Sequence, residues 1–137
     1  MREILFRGKT KHREWIYGDL ITHGIDFDDA IKQHHTREVW DIIPETIGQF
    51  TGLTDKNGKK IFEGDILAET WWGELYAKNP ILCKFHNGSF CFTKYYIWDT
   101  ANNCERAWVW KKRFLKKELK YCEIIGNIHD NPKLLGE

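Results

Sequence analysis

Ile43-Pro44-Glu45-Thr46-Ile47-Gly48-Gln49-Phe50-Thr51-Gly52-Leu53-Thr54-Asp55-Lys56-Asn57-Gly58-Lys59-Lys60-Ile61-Phe62-Glu63-Gly64-Asp65-Ile66-Leu67 is the stretch that decides the fold. Its apolar residues come in pairs or singly. They are separated by Gly48, Gly52, Gly58 and Gly64, which suit turns or bends, while Pro44 presets the approach to the segment. Asn57-Gly58 predicts a tight turn, with Leu53 and Phe62 flanking it on strands. Ile47, Phe50, Leu53, Ile61, Phe62, Ile66 and Leu67 read as strand residues facing a core. Gln49 and Thr51 could serve a ligand, but satisfying backbone groups near a turn is the preferred role for both.

The same strand-like pattern extends outward. Trp15-Ile16-Tyr17, Ile81-Leu82-Cys83-Lys84-Phe85, Phe90 to Trp98 and Glu123-Ile124-Ile125 are short runs rich in aromatic and β-branched residues, with turn chemistry between them. A second Asn-Gly, Asn87-Gly88, predicts a two-residue hairpin with Phe85 opposite Phe90, Lys84 opposite Cys91 and Cys83 opposite Phe92. That register points the sulfurs of Cys83 and Cys91 to opposite faces, so they should not bond to each other. Two helix candidates stand against the strand pattern, Asp28 to His34 and Lys111 to Lys120. Trp15 to Ile21 also parallels Lys60 to Leu67: each has an apolar-aromatic pair, then Gly-Asp, then two aliphatics. The expectation is that both glycines mark a bend and that Asp19 and Asp65 each bond nearby backbone amides.

The 137 residues suffice for a single domain, and 42% hydrophobic with 15% aromatic content excludes a disordered chain. No apolar run approaches the length of a membrane helix, and the start, Met1 to Lys9, lacks the apolar centre of a secretory signal. A cytoplasmic location with free, mostly buried thiols at Cys83, Cys91, Cys104 and Cys122 is therefore expected. The 21 bases and 20 acids leave a net charge of +1, too little for a protein that merely coats nucleic acid. Between Asp19 and Asp65, however, ten acids face five bases, and between Glu105 and Lys120 seven bases face two acids. Two such regions can meet in the fold, meet between subunits, or offer the basic one to a polyanion, although two solvated faces are the simpler reading.

Chemistry-bearing patterns are sparse. Phosphate-binding loops, dinucleotide fingerprints and zincin motifs are missing from the sequence, and the cysteines have no zinc-site spacing. His34-His35 with Asp28 and Asp29 are metal-ligand types, but adjacent histidines diverge on a strand and on a helix alike. Ser89, the single serine, sits beside a turn that explains it, so a serine triad has no support. Asp19 and Asp65 as paired carboxylates are less credible than two turn aspartates. No catalytic, cofactor-binding or metal residue is assigned, and the chain is expected not to be an enzyme.

Two surfaces remain. Trp108, Trp110, Lys111, Lys112, Arg113, Lys116 and Lys117 interleave rings with cations as a single-stranded nucleic-acid groove does. The preferred alternative is a core strand followed by a solvated basic face. Trp71-Trp72 before Gly73, with Tyr95 and Tyr96, reads as an oligomer or protein contact, because one of two adjacent strand tryptophans is left exposed.

The stretch from Ile43 to Leu67 resembles the signature of the YopX-like family of phage and prophage proteins. Met1-Arg2-Glu3-Ile4-Leu5-Phe6-Arg7-Gly8 resembles that family's usual start, with Gly8 where Ala or a similar residue is usual. Tyr121-Cys122-Glu123-Ile124-Ile125-Gly126-Asn127-Ile128-His129-Asp130-Asn131-Pro132-Lys133-Leu134-Leu135 resembles its usual close. The segment from about Ala68 to Lys120 carries no such match. The resemblance implies one all-β domain over residues 1–137, mixing barrel and sandwich features with at most one or two short helices. It also implies a phage-associated origin and self-association, and it implies no activity. The expectation is thus a non-enzymatic, self-associating interaction module in the bacterial cytoplasm, with a phage or host protein as a further partner. No cofactor and no membrane contact are expected, and nucleic acid is the less favoured partner.

Overall fold

In a computed structural model the described residues are 3–22, 29–98, 108–114 and 116–135. All regular structure among them is β apart from three short 3-10 turns. The chain divides into two compact units at Gly52/Leu53.

The first unit holds β1 (Phe6–Lys9), β2 (Trp15–Ile21), β3 (Ala30–Lys32), β4 (Val39–Asp41), a 3-10 turn (Pro44–Thr46) and most of β5 (Gly48–Thr54). Neighbouring strands run antiparallel in the order β4-β3-β2-β1-β5, and β5 continues across the division to pair with β6 (Lys60–Phe62). Strand β2 changes partner halfway, pairing Trp15 to Gly18 with β1 and Asp19 to Ile21 with β3. Gly18 sits at that handover because β3 comes so close that a Cβ there would collide with the Lys32 carbonyl oxygen. Ile16, Ile31 and Ile42 form the core of this unit, with Phe6, Leu20, Trp40 and Ile47 packed around them. Thr46 ties the 3-10 turn to β1: its hydroxyl accepts from Lys9 N at 2.8 Å and donates to Ile43 O at 2.6 Å.

The second unit continues with β7 (Asp65–Trp71), β8 (Glu74–His86), β9 (Ser89–Trp98), β10 (Trp108–Phe114), a 3-10 turn (Lys116–Tyr121), β11 (Cys122–Asn127) and a last 3-10 turn (Pro132–Leu135). Its antiparallel, open five-stranded sheet has the order β10-β9-β8-β7-β11. Ile66 pairs with Leu82 and Leu67 with Ile81, so these neighbours face opposite sides. Both sides are covered. Leu67, Ile81, Cys83, Phe92 and Cys122 pack with Ile61 and with Leu119 of the turn before β11. Ile66, Leu82 and Tyr95 pack with Leu134 and Leu135 at the end of the chain. Burial on two faces is why Ile81-Leu82-Cys83 is continuously apolar rather than alternating.

The all-β expectation holds, and two local readings need correction. The helix candidate at Asp28 to His34 gives way to strand β3 at Ala30–Lys32, its first residue lying outside the described set. The candidate at Lys111 to Lys120 gives way to β10 as far as Phe114 and then a 3-10 turn. Ladder pairing satisfies more backbone groups there than a short isolated helix can.

The hairpin at Asn87-Gly88 has the expected register, Cys83↔Phe92, Lys84↔Cys91 and Phe85↔Phe90. Both turn residues have positive φ, 49° and 81°. Asn57-Gly58 differs, since only Gly58 has positive φ there. Gly58 N donates to Asp55 O at 3.0 Å and Asp55 N to Lys59 O at 2.9 Å, closing a longer loop than the tight turn expected. Asp55 makes the difference. Its Oδ1 accepts from Asn57 N and Lys59 N, each at 2.9 Å, and its Oδ2 reaches Ile124 N of β11 at 3.1 Å. With Lys56 N donating to Cys122 O at 2.9 Å, the loop caps the outer edge of β11.

The parallel between Trp15 to Ile21 and Lys60 to Leu67 also fails in one half. Gly64 bends with φ 92°, and Asp65 Oδ2 accepts from Phe62 N at 2.8 Å, as expected. Gly18-Asp19 instead runs straight through β2, and Asp19 is exposed, bonded to His34.

Candidate functional site

Strands β7 and β8 meet at Trp72-Gly73, where both residues have positive φ, 50° and 78°. A two-residue hairpin turn demands this geometry, and Asn or Gly usually supplies it. Trp72 departs from that rule, a bulky residue held in left-handed backbone with its side chain 94% exposed. Nothing about the turn itself calls for an indole.

Around this tip lies an apolar surface. Trp71, 41% exposed, stacks on Tyr121, 40% exposed, with ring centroids 5.1 Å apart and planes at 28°. Tyr76, the third residue of β8, is exposed on the same face, and Leu75 is exposed on the other. Tyr121 is brought there because β11 pairs with β7 through Cys122↔Glu69, and Thr70 Oγ1 donates to the Tyr121 carbonyl at 2.8 Å. The indole of Trp71 is further held by Nε1, which donates to Glu69 Oε2 at 3.0 Å. The other oxygen of Glu69 accepts from Lys94 Nζ at 3.0 Å, an ion pair largely withdrawn from solvent. The stack is therefore preorganised on the strands rather than loosely exposed.

A basic margin adjoins it. Lys120 Nζ stands 5.1 Å from the Tyr121 ring centroid, a cation–π contact, and Lys116 and Lys117 of the same 3-10 turn are exposed. The 3-10 turn that carries Lys116 and Lys117 thus ends at the ring that stacks on Trp71. Tyr95 does not belong with them, since it is 5% exposed within the core of its unit. Ile66, Leu82 and Leu135 pack around it and bury it whatever its polarity. The side chains of Tyr96, Trp108, Trp110, Lys111, Lys112 and Arg113 lie outside the described set. Their backbones form the β9/β10 ladder, with Trp110↔Tyr96 and Lys112↔Lys94. Tyr121, Leu75 and Tyr76 were not singled out in the sequence. Only the long-range pairing of β7 with β11 places Tyr121 here.

Reactive chemistry is poorly served. Burial pushes the Cys122 thiol up to about 12, helped by the nearby Glu69 carboxylate, and the thiol donates weakly to Glu118 O at 3.6 Å. A thiol so held stays protonated and is a poor nucleophile. His34 Nε2 lies 2.8 Å from Asp19 Oδ1 on an exposed surface. Among the described residues no three metal-ligand side chains converge. No helix among them is long and apolar enough to cross a membrane.

The fold is similar to the crystal structure of protein EF1440 from Enterococcus faecalis, with a TM-score of 0.54 and 23% sequence identity over 98% of this chain and 99% of that one. No curated protein matches the chain. The YopX protein family model, by contrast, matches residues 5–136, nearly the whole length. The sequence thus carries the family's pattern from β1 to the final 3-10 turn, and the chain belongs to the YopX protein family.

Proposed function

We propose that this chain is a non-enzymatic interaction module of phage type that acts in the bacterial cytoplasm by self-association, with the β7/β8 hairpin tip as its contact surface. One observation carries the reading: an indole held in left-handed backbone and 94% exposed at Trp72, beside the stacked Trp71 and Tyr121. Strained backbone and exposed aromatic area both cost stability, and a binding surface is where such costs are recovered. The exposed rings of Trp71, Trp72, Tyr76 and Tyr121 are also of the residue types enriched at the centre of protein contacts. A phage or host protein bound at the same tip is the natural further partner.

A second reading has one observation of its own. Lys120 stands over the Tyr121 ring of the stack, Lys116 and Lys117 of the same 3-10 turn are exposed, and rings beside cations are what single-stranded nucleic acid requires. Light scattering over a dilution series, on the parent protein and on Trp72→Asn, with and without a short single-stranded oligonucleotide, separates the two. Association that is lost in Trp72→Asn and indifferent to the oligonucleotide supports the module. A monomer at every concentration refutes it. A complex with the oligonucleotide that dissociates as salt rises supports the second reading instead.

A further inference from the structure

On the surface around the hairpin tip, charge is arranged in order. Glu74 is exposed and is the direct partner of Trp71 across the turn, so the two side chains share a face of the hairpin. Trp71 stacks on Tyr121, and the Tyr121 ring in turn carries the Lys120 ammonium. The sequence of groups across the surface is therefore carboxylate, indole, phenol, ammonium. Among the described residues neither Glu74 nor Lys120 is engaged in an ion pair.

A strip with opposite charges at its ends and two stacked rings between them is complementary to itself. A two-fold axis through the Trp71/Tyr121 stack carries Glu74 onto the position of Lys120 and Lys120 onto that of Glu74. Closed dimers need this property, since one patch must be its own partner. A polyanion would meet Glu74 as a repulsive group at one end, whereas a second copy meets it with Lys120. We infer that the occupant of this surface is a second copy of the chain, docked antiparallel to the first so that Glu74 of each protomer pairs with Lys120 of the other across a centre of Trp71 and Tyr121. This inference rests on the self-association proposed above and specifies its orientation.

Charge reversal tests the orientation. Each of Glu74→Lys and Lys120→Glu places like charges opposite one another at two symmetry-related points, and the dimer should dissociate about tenfold more readily in each. The double variant Glu74→Lys/Lys120→Glu restores both pairs with the signs exchanged, and its dissociation constant should return to within about threefold of the parent. Both side chains are exposed, so folding is not at stake, and sedimentation equilibrium on the full chain reads the constants. A double variant no tighter than the weaker single variant overturns the antiparallel docking, as do single variants indistinguishable from the parent. Trp72→Asn, run alongside, separates that failure from failure of the underlying reading: if it dissociates the dimer while the charge variants behave alike, the tip is the contact but the orientation is wrong. If parent and Trp72→Asn are both monomeric, there is no dimer and the inference falls with the reading it rests on.

Discussion

Replacing Asp55 by Asn should destabilise the second unit far more than so small a change suggests. The carboxylate is 5% exposed and accepts three backbone N–H groups, two within its own loop at 2.9 Å and one from Ile124 at 3.1 Å. An amide oxygen can retain the two loop bonds. The amide nitrogen must then face Ile124 N, donor against donor, on the strand edge that the loop caps. Losing one charge-assisted bond costs about 1.5–3 kcal/mol, and stranding a withdrawn N–H adds to it, so about 2–4 kcal/mol is expected. Asp55→Ala removes all three acceptors, but Asn57 and Lys59 are exposed and their amides can turn to water, so it should cost only about 1 kcal/mol more. Urea titration supplies the global value. Amide exchange at Ile124 and at Lys56, whose N donates to Cys122 O, supplies the local one. A loss below about 1 kcal/mol for Asp55→Asn, with exchange at Ile124 unchanged, would refute the assignment of Asp55 as the group that fastens this loop to β11.

Other substitutions probe the remaining features. Trp72→Asn puts the preferred residue at the first position of the β7/β8 turn and should stabilise the monomer by about 1 kcal/mol in thermal unfolding, even as it removes the contact surface. Gly18→Ala should destabilise the first unit by about 2 kcal/mol or more, because the new Cβ meets backbone, the Lys32 carbonyl, rather than a side chain able to move. Glu69→Ala removes the carboxylate that pairs with Lys94 and frees the Trp71 indole, so a loss of about 1.5–3 kcal/mol and a shift in tryptophan fluorescence are expected. The Cys122 thiol ionises near 9.0 when unfolded and at about 12 when folded, so the native state holds the proton more tightly between those values. Stability attached to this thiol is intact below pH 9.0 and falls as pH rises toward 12, and Cys122→Ala should remove that part of the alkaline loss in urea titrations at each pH.

Much of the fold is legible residue by residue. The Asn87-Gly88 hairpin appears with the expected register because two adjacent positive-φ residues define a two-residue loop, and the loop length fixes every pairing beyond it. Asn57-Gly58 carries the same dipeptide and yields a different loop. There Asp55, two residues earlier, offers an acceptor to amides on both sides, and a side-chain bond overrides a dihedral preference worth less. Gly18 and Gly64 sit in similar sequence surroundings for unrelated reasons, one making room for a neighbouring strand and the other turning the chain. The two readings coincide in sequence because glycine answers both needs.

The candidate surface was half legible. Trp71 and Trp72 announce themselves, since two adjacent indoles on a strand point to opposite faces and only a sheet covered on both sides could bury the two. Tyr95 looked equivalent and is not, because β9 lies inside its sheet and both faces of that sheet are covered. What the sequence by itself determined is local: strands, turns, hairpin register and the family, all set by dihedral preferences and hydrogen bonds among residues a few positions apart. What only the tertiary structure decided is which distant elements become neighbours. Tyr121 reaches Trp71, and Lys120 with it, because β11 returns to the edge of β7, joining residues 51 positions apart at Thr70 and Tyr121. No residue in either segment specifies that pairing alone. It follows from burying both faces of one sheet at once, a free energy that belongs to the whole arrangement rather than to any stretch of the chain.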